Sequence, residues 1–205
     1  MPNTPAIRLL LERCYAWRWR GPAALALMIL VILYAVVLFP AVSVRSGSAT
    51  NRITDLQNAA SAEAFIGALR RWSASNPQAV GILKRDNLIR LDSSFPVVYG
   101  FFLALGYAWA SGQRPPTRAT LVRFGAPLLA AAFDYGENAL HLFLLRGVET
   151  LDDVNRAAGA GQFTTPVVAA AWTCAHAKDV LIVASAGSLI LAIGARAWRQ
   201  LRIAR

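Results

Sequence analysis

The sequence predicts an all-α, polytopic membrane protein: a four-transmembrane-helix bundle with an amphipathic helix in its first outer loop. Of its 205 residues, 56% are hydrophobic and only 16% are charged, whereas soluble domains carry about 25% charged residues. Several apolar stretches are long enough to cross a bilayer, which takes about 20 residues. Because polar or basic segments separate these stretches, we expect the chain to cross the membrane repeatedly.

The predicted spans are four apolar segments with approximate bounds 22–43, 93–112, 120–146 and 164–195. The first two carry no charge, whereas ionisable residues interrupt the third and the fourth. Pro96 falls in the first turn of the second span, where a helix tolerates proline. We therefore expect a single transmembrane domain over 21–195, preceded by a basic cytoplasmic segment (1–20) and followed by a basic tail (196–205).

A signal peptide is an alternative interpretation of the first apolar segment. Ala41, Val42 and Ser43 resemble a cleavage site. The apolar stretch before them exceeds the usual signal-peptide core of about 7–15 residues. We therefore expect the segment to remain as the first membrane span.

The outer loop, 44–91, is mostly polar, and residues 61–72 within it predict an amphipathic helix that begins at Ser61. Its apolar face is expected to carry Ala64, Phe65, Leu69 and Trp72. Such a helix is either a solvated element packed on the membrane domain or a lid over a cavity. The later loop, 147–163, contains Gly-Ala-Gly at 159–161 and is expected to be flexible.

The distribution of basic residues predicts the orientation. The N-terminal segment has four arginines, 114–123 has three and the C-terminal tail has four, whereas 147–163 has one. Lys and Arg concentrate on the cytoplasmic side of membrane proteins, so four spans place both termini in the cytoplasm. The segment 45–91, with seven basic residues, opposes this assignment, although long loops count for less in the rule.

Ionisable residues inside the predicted spans are the main functional signal, because each costs about 2.5–3.5 kcal/mol at bilayer depth. On the third span, helical geometry sets Glu137, Asn138 and His141 within about 60° of Asp134. These four residues therefore share one face, which must meet protein or water rather than lipid. Lys178, on the fourth span, is expected to pair with Asp134 or Glu137.

Residues of the second and fourth spans extend this stripe into a candidate site. Asp92 and Tyr99 stand at the outer end of the second span, while His176 and Asp179 share a face of the fourth. The predicted buried polar cluster, which would open toward the outside, comprises Asp92, Tyr99, Asp134, Glu137, Asn138, His141, His176, Lys178 and Asp179.

Three interpretations of the cluster stay open: a structural ion pair that fixes helix register, a binding or catalytic pocket, and a proton or ion path. No metal is expected, because Lys178 would repel a cation and no metal-binding spacing such as HExxH is present. No cofactor is expected, since the chain lacks a phosphate-binding glycine loop. Without a nucleic-acid-binding motif, the expected partners are membrane lipids and a small amphiphilic ligand.

The segments LDSSFPVVYG, FDYGENALHLFLL and AHAKDVLI, within about 20–195, resemble uncharacterised bacterial four-helix integral membrane proteins. Those proteins have an Asp entering helix two, D-x-x-E-N on helix three and a Lys on helix four. The residues that fit this pattern are Asp92, Asp134, Glu137, Asn138 and Lys178. The resemblance implies a bacterial inner membrane and a shared polar core, but no reaction. A more distant similarity of architecture to EXPERA proteins, which include sterol isomerases and sigma-2-type receptors, favours a lipid-like ligand.

The leading functional hypothesis is therefore the binding of a small amphiphilic or lipid ligand at the polar cluster. Asp134 and Glu137 would supply negative charge, Lys178 the counter-ion, and Asn138 and His141 the orientation. One alternative is a membrane-embedded enzyme that uses these acids or His141 in acid/base chemistry on a lipid-like substrate. Another is a structural or accessory membrane subunit.

Overall fold

The computed structural model describes residues 13, 16, 17, 19–47, 53–112 and 117–203, and every regular element within these ranges is helical. The helices are α1 (Arg20–Arg45), α2 (Thr54–Gln57), α3 (Ala62–Ser75), α4 (Ala79–Ser111), α5 (Arg118–Leu144), α6 (Leu151–Gly159) and α7 (Thr165–Ile203). The all-α prediction is confirmed over the ranges described. Most of the predicted N-terminal segment 1–20 and the last two residues of the tail lie outside them.

Three helices, α1, α4 and α7, are long and apolar enough to cross a membrane. Large apolar side chains lie on their outer surfaces: Val36 is 67% exposed, Val183 72% and Leu191 75%. Exposed apolar side chains in such number are unfavourable in water and are compatible with acyl chains. The helices therefore indicate a membrane protein.

The helices form two compact units, and the first contains the described residues up to Val31, Val97–Ala131 and the chain from Asp179 onward. Its helices approach one another closely at small residues. A Cβ atom added at Gly106 would lie 3.2 Å from a methyl group of Leu189. Close approach at glycine is how helices gain packing contact where lipid removes the hydrophobic drive for association.

The second unit contains Ile32–Pro96 and Ala132–Lys178 and has an extensive hydrophobic core. The core includes Leu56, Phe65, Leu69, Trp72, Val80, Leu83, Leu88, Leu144, Leu145, Val154, Phe163 and Val168. All of α2, α3 and α6 belong to this unit, together with parts of the longer helices. Helices α2, α3 and the N-terminal part of α4 therefore pack with α6 and the neighbouring ends of α5 and α7 around one shared core.

Helix α3 occupies the segment in which the sequence predicts an amphipathic helix. Its first turn is capped by Ser61, whose hydroxyl accepts a hydrogen bond from the Ala64 amide at 3.2 Å. Phe65, Leu69 and Trp72 are buried as predicted, whereas Ala64 is exposed. The buried face of α3 consists of Phe65, Ala68, Leu69, Trp72 and Ser73. Ala64 lies beyond the edge of this face and is therefore exposed.

Two segments expected to be irregular are helical. Helix α4 begins at Ala79 rather than near residue 93, and its residues Leu83–Leu91 are wound as a π-helix. Helix α6 lies in the predicted flexible loop and starts with a capping box: the Thr150 hydroxyl accepts from the Asp153 amide, and the Asp153 carboxylate accepts from the Thr150 amide. The helix ends at Gly159, and Gly161, two residues later, has a left-handed φ of 68°.

Side chains from neighbouring segments hold the C-terminal end of α5, whose last carbonyls lack partners within the helix. The Gln162 amide donates to the Leu144 carbonyl at 2.7 Å. The Lys84 ammonium donates to the Leu145 carbonyl at 3.3 Å and forms an ion pair with Glu149. These bonds fix the end of α5 against the N-terminal part of α4 and therefore position the polar face of α5.

We predict that Asp153→Asn lowers the thermal unfolding midpoint of the detergent-solubilised protein at pH 7. The Thr150 hydroxyl and the amides of Glu149 and Thr150 hold the pKa of the Asp153 carboxyl below its ordinary value. A carboxyl with a depressed pKa in the folded state stabilises the fold above its unfolded pKa, and this stabilisation is lost as the pH falls through the folded pKa. The difference between variant and wild type should therefore shrink below about pH 4.

The matched control is Asp152→Asn, which removes an adjacent exposed carboxylate. It should unfold at nearly the wild-type temperature, because ordinary surface substitutions change the free energy of unfolding by less than about 0.5 kcal/mol. Equal midpoints for the two variants at pH 7 would contradict the stabilising role of the capping box.

Candidate functional site

The polar stripe predicted on α5 is buried along its whole length. The exposed fractions are 5% for Asp134, 0% for Glu137, 5% for Asn138 and 0% for His141. On the opposite face of the helix, the exposed side chains are Val122, Leu129 and Phe143. Helix α5 therefore separates a buried ionisable face from an exposed apolar face.

Lys178 of α7 neutralises part of this stripe. Its ammonium nitrogen lies 3.1 Å from Asp134 Oδ1 and 2.7 Å from Glu137 Oε2, and it donates a hydrogen bond to each. The Lys178 side chain is itself buried. The ion pair expected from the sequence is thus formed with both candidate acids, and it joins α5 to the N-terminal part of α7.

The other half of the stripe has polar atoms that no described group satisfies. Glu137 Oε1 lies 3.6 Å from His141 Nδ1, which is too far for a hydrogen bond. Glu137 Oε1, Asn138 Oδ1 and both ring nitrogens of His141 are buried without a hydrogen-bond partner in the described part of the chain. Buried polar atoms are usually bonded to protein or ordered water, so these atoms have hydrogen-bonding capacity that the described residues do not use.

Helices α2 and α3 cover this unsatisfied half. The Phe65 ring stacks on the His141 imidazole, with centroids 5.9 Å apart and an interplanar angle of 27°. The Gln57 side chain, at the end of α2, lies near the Glu137 carboxylate. Helices α2 and α3 therefore pack against the polar stripe through Gln57 and Phe65, and this packing does not separate a lid from a helix fixed on the membrane domain.

Asp92 adds a further acid to the cluster. It is buried, and its backbone carbonyl accepts a hydrogen bond from the Asn138 amide at 3.4 Å. Its carboxyl lies within electrostatic range of Asp134, Glu137 and Lys178. The cluster therefore contains three carboxyl groups and one ammonium, so its acidic groups outnumber its cation.

Three predicted site residues have different surroundings. Tyr99 is buried and belongs to the unit that contains Val97–Ala131. His176 is half-buried; its Nδ1 lies 2.9 Å from the Trp172 carbonyl of its own helix, and its ring contacts the Trp172 indole at an interplanar angle of 34°. Asp179 is exposed, although it follows Lys178 directly. The helical turn of 100° per residue sets Asp179 away from the face that Lys178 presents to α5.

Sequence reasoning missed Gln57 and Phe65 as parts of the site. The sequence predicts Phe65 on the apolar face of a helix, but its contact with His141 depends on how α3 docks. No local pattern indicates that contact, because the two residues are far apart in the chain. Gln57 lies in a four-residue helix, which is too short for a periodic signal.

Within the ranges that the structure describes, no group of three or more His, Cys, Asp and Glu side chains is arranged to hold a metal ion. Comparison with protein-family models, with curated proteins and with solved structures finds no match to this chain. The resemblance to bacterial four-helix proteins therefore stays a prediction.

We predict that Lys178→Met destabilises the protein by about 3–5 kcal/mol, because it leaves two buried carboxyl groups without their cation. The effect is measured by heating the detergent-solubilised protein and recording the temperature at which its monodisperse gel-filtration peak disappears. The triple variant Lys178→Met, Asp134→Asn, Glu137→Gln should recover much of the loss, since it removes the stranded charges as well.

The control for this series is Asp179→Asn, which changes the charge of the next residue at an exposed position. It should unfold at nearly the wild-type temperature. A Lys178→Met protein as stable as this control would show that the buried ion pair does not hold α5 to α7.

Proposed function

We propose that this chain is an integral membrane protein with four transmembrane helices that binds a small amphiphilic or lipid ligand at Glu137, Asn138 and His141. The membrane would be a bacterial inner membrane, with both termini in the cytoplasm. The observation that carries the binding proposal is His141, which is 0% exposed while neither ring nitrogen has a hydrogen-bond partner among the described residues.

The case for a fourth span rests on α5. Its 27 residues correspond to about 40 Å of helix, which exceeds the hydrocarbon thickness of about 30 Å. Its ionisable residues face protein, and the opposite side presents Val122, Leu129 and Phe143. A helix with this division can face lipid on one side and protein on the other, so the charges on α5 do not exclude it as a span.

The position of the cluster along α5 suggests the depth of the site. His141 lies one turn before Leu144, the last residue of α5, and the four-span topology puts that end of the helix on the outer side. The cluster would then lie toward the outer edge of a hydrocarbon layer about 30 Å thick. An amphiphile could reach this depth with its polar head while its apolar part stays in the acyl region.

The chemistry of the unsatisfied atoms suggests the kind of head group. Glu137 Oε1 and Asn138 Oδ1 are hydrogen-bond acceptors, and a neutral His141 ring offers one donor and one acceptor. A head that donates hydrogen bonds, such as a hydroxyl or an amine, would complement these atoms.

Acid/base catalysis is a second candidate, favoured by the approach of Glu137 Oε1 to His141 Nδ1 at 3.6 Å. Catalytic hydrogen bonds are often long without substrate and tighten when it binds. In this case Glu137→Gln would abolish turnover of a membrane-dissolved substrate without loss of binding. The binding proposal instead expects ligand retention itself to fall.

We predict that residues 117 and 160 lie on opposite sides of the membrane. In a variant without its native cysteines, Ala160→Cys should react with a membrane-impermeant maleimide in intact cells, and Thr117→Cys only after the membrane is disrupted. Both positions are exposed, so access to the thiol should depend on the side of the membrane alone. If only α1, α4 and α7 cross, the two positions share a side and label together, which would exclude the fourth span.

We predict that the purified protein retains an amphiphile that His141→Phe loses. Native mass spectrometry of the detergent-released protein should show a bound species whose occupancy falls about tenfold in the variant, as expected for one lost hydrogen bond of about 1.4 kcal/mol. Phenylalanine keeps the stacking on Phe65 and removes both ring nitrogens. The variant should therefore stay folded.

Two comparisons make this experiment decisive. Asp179→Asn, at an exposed position, should retain the ligand at the wild-type level. If wild type and His141→Phe carry no bound species, or the same amount of it, the binding proposal fails and the structural interpretation of the cluster stands.

A further inference from the structure

Asp86 is a buried acid that three arginines surround, near the N-terminal end of α4. Its side chain is 3% exposed, and Arg45 Nη2 lies 2.9 Å from its Oδ2 atom. Arg90 Nη1 lies 2.9 Å from Oδ1 and Arg85 Nε lies 3.4 Å from the same atom. We call these four residues the arginine cluster. With three cations and one anion, its formal charge is +2.

The arginines have more hydrogen-bonding capacity than Asp86 can use. A guanidinium carries five N–H donors in a planar fork, and each contact with Asp86 uses only one edge of that fork. The side chains of Arg45, Arg85 and Arg90 are 61%, 57% and 65% exposed, so their other donors are accessible. One arginine would neutralise Asp86, and each further one adds like-charge repulsion that an external anion would relieve.

The arginine cluster lies where apolar helix gives way to polar chain. Arg45 is the last residue of α1, and Arg85 and Arg90 precede the apolar part of α4, Phe95–Ser111. On the apolar side of these arginines, the Tyr34 hydroxyl and Ser94 Oγ are hydrogen-bonded at 2.6 Å, and the Tyr34 and Phe95 rings stack 5.3 Å apart. Helices α1 and α4 thus contact each other at Tyr34, Ser94 and Phe95, and the arginine cluster lies beyond this contact, toward the end of α1. A span that ends at Arg45 would leave the hydrocarbon there, at the depth of lipid phosphates.

We infer that the arginine cluster binds a phosphate group and that its source is the headgroup of an anionic phospholipid. Phosphate oxygens match the paired donors of guanidinium groups, and these charge-assisted bonds are among the stronger ones in proteins. Asp86 acts here as a positioning residue that holds the three guanidiniums together in the free protein. The site shares no residue with the polar cluster on α5, so it stands independently of the function proposed above.

The test compares phosphatidylglycerol with phosphatidylcholine as bound lipid. Full-length protein is reconstituted into nanodiscs that contain equal amounts of the two lipids, then released and examined by native mass spectrometry. Wild type should retain phosphatidylglycerol preferentially, and Arg85→Gln and Arg90→Gln should each reduce its retention about fivefold, as for one arginine at a membrane surface. Arg71→Gln, an exposed arginine of α3, is the control and should retain the lipid as the wild type does.

Arg85→Gln is expected to disturb folding least, because Arg85 makes the longest of the three contacts with Asp86. Only variants that elute as the wild type does in gel filtration are compared. Equal retention of the two lipids by wild type, or equal phosphatidylglycerol retention by Arg85→Gln and Arg71→Gln, would overturn the lipid site.

A second arm identifies the source of the phosphate. Inorganic phosphate is titrated against lipid-free protein in detergent while the thermal unfolding midpoint is measured. A rise in the midpoint that Arg85→Gln abolishes, without any preference for phosphatidylglycerol in the first arm, would assign the site to free phosphate and overturn the lipid headgroup. No rise together with a clear phosphatidylglycerol preference supports the headgroup.

Discussion

The contact of Lys178 with Asp134 and Glu137 is the constraint on which the polar interior depends. An ammonium and two carboxyl groups are costly to remove from water, and this cost is offset only if the geometry is good and the groups meet. The two distances, 3.1 and 2.7 Å, allow little sliding of α7 along α5. Because Lys178 uses Oε2 of Glu137, the other oxygen of this carboxylate is left facing His141. The ion pair therefore sets both the helix register and the part of the cluster that is available to a ligand.

The sequence predicts the polar interior well where a single helix determines it. Helical periodicity alone places Asp134, Glu137, Asn138 and His141 on one face, and burial cost alone calls for a cation opposite them. The covering of this face could not be predicted, because the contact of Phe65 with His141 depends on long-range docking. The same limit applies to Asp86, whose partner Arg45 lies on another helix. In the sequence, Asp86 stands among charged residues that are typical of a solvated loop.

The arginine cluster also bears on the orientation. The segment 45–91 contains seven basic residues, which is unusual for a loop assigned to the outer side. Arg45, Arg85 and Arg90 contact Asp86, and Lys84 contacts Glu149. These residues have identified roles in the folded second unit, so their number alone is weak evidence for a cytoplasmic location. The prediction that both termini are cytoplasmic then depends on the shorter basic segments at the helix ends.

A purely structural explanation of the α5 stripe accounts for Lys178, Asp134 and one oxygen of Glu137, but it does not account for His141. Among the residues that the structure describes, neither ring nitrogen has a hydrogen-bond partner, and a buried polar atom left without one costs about 1–3 kcal/mol. An apolar ring of similar size would keep the stacking on Phe65 without this cost. The loss is offset if another molecule supplies the missing hydrogen bonds. For this reason the unsatisfied half of the stripe, rather than the ion pair beside it, is the part to test for function.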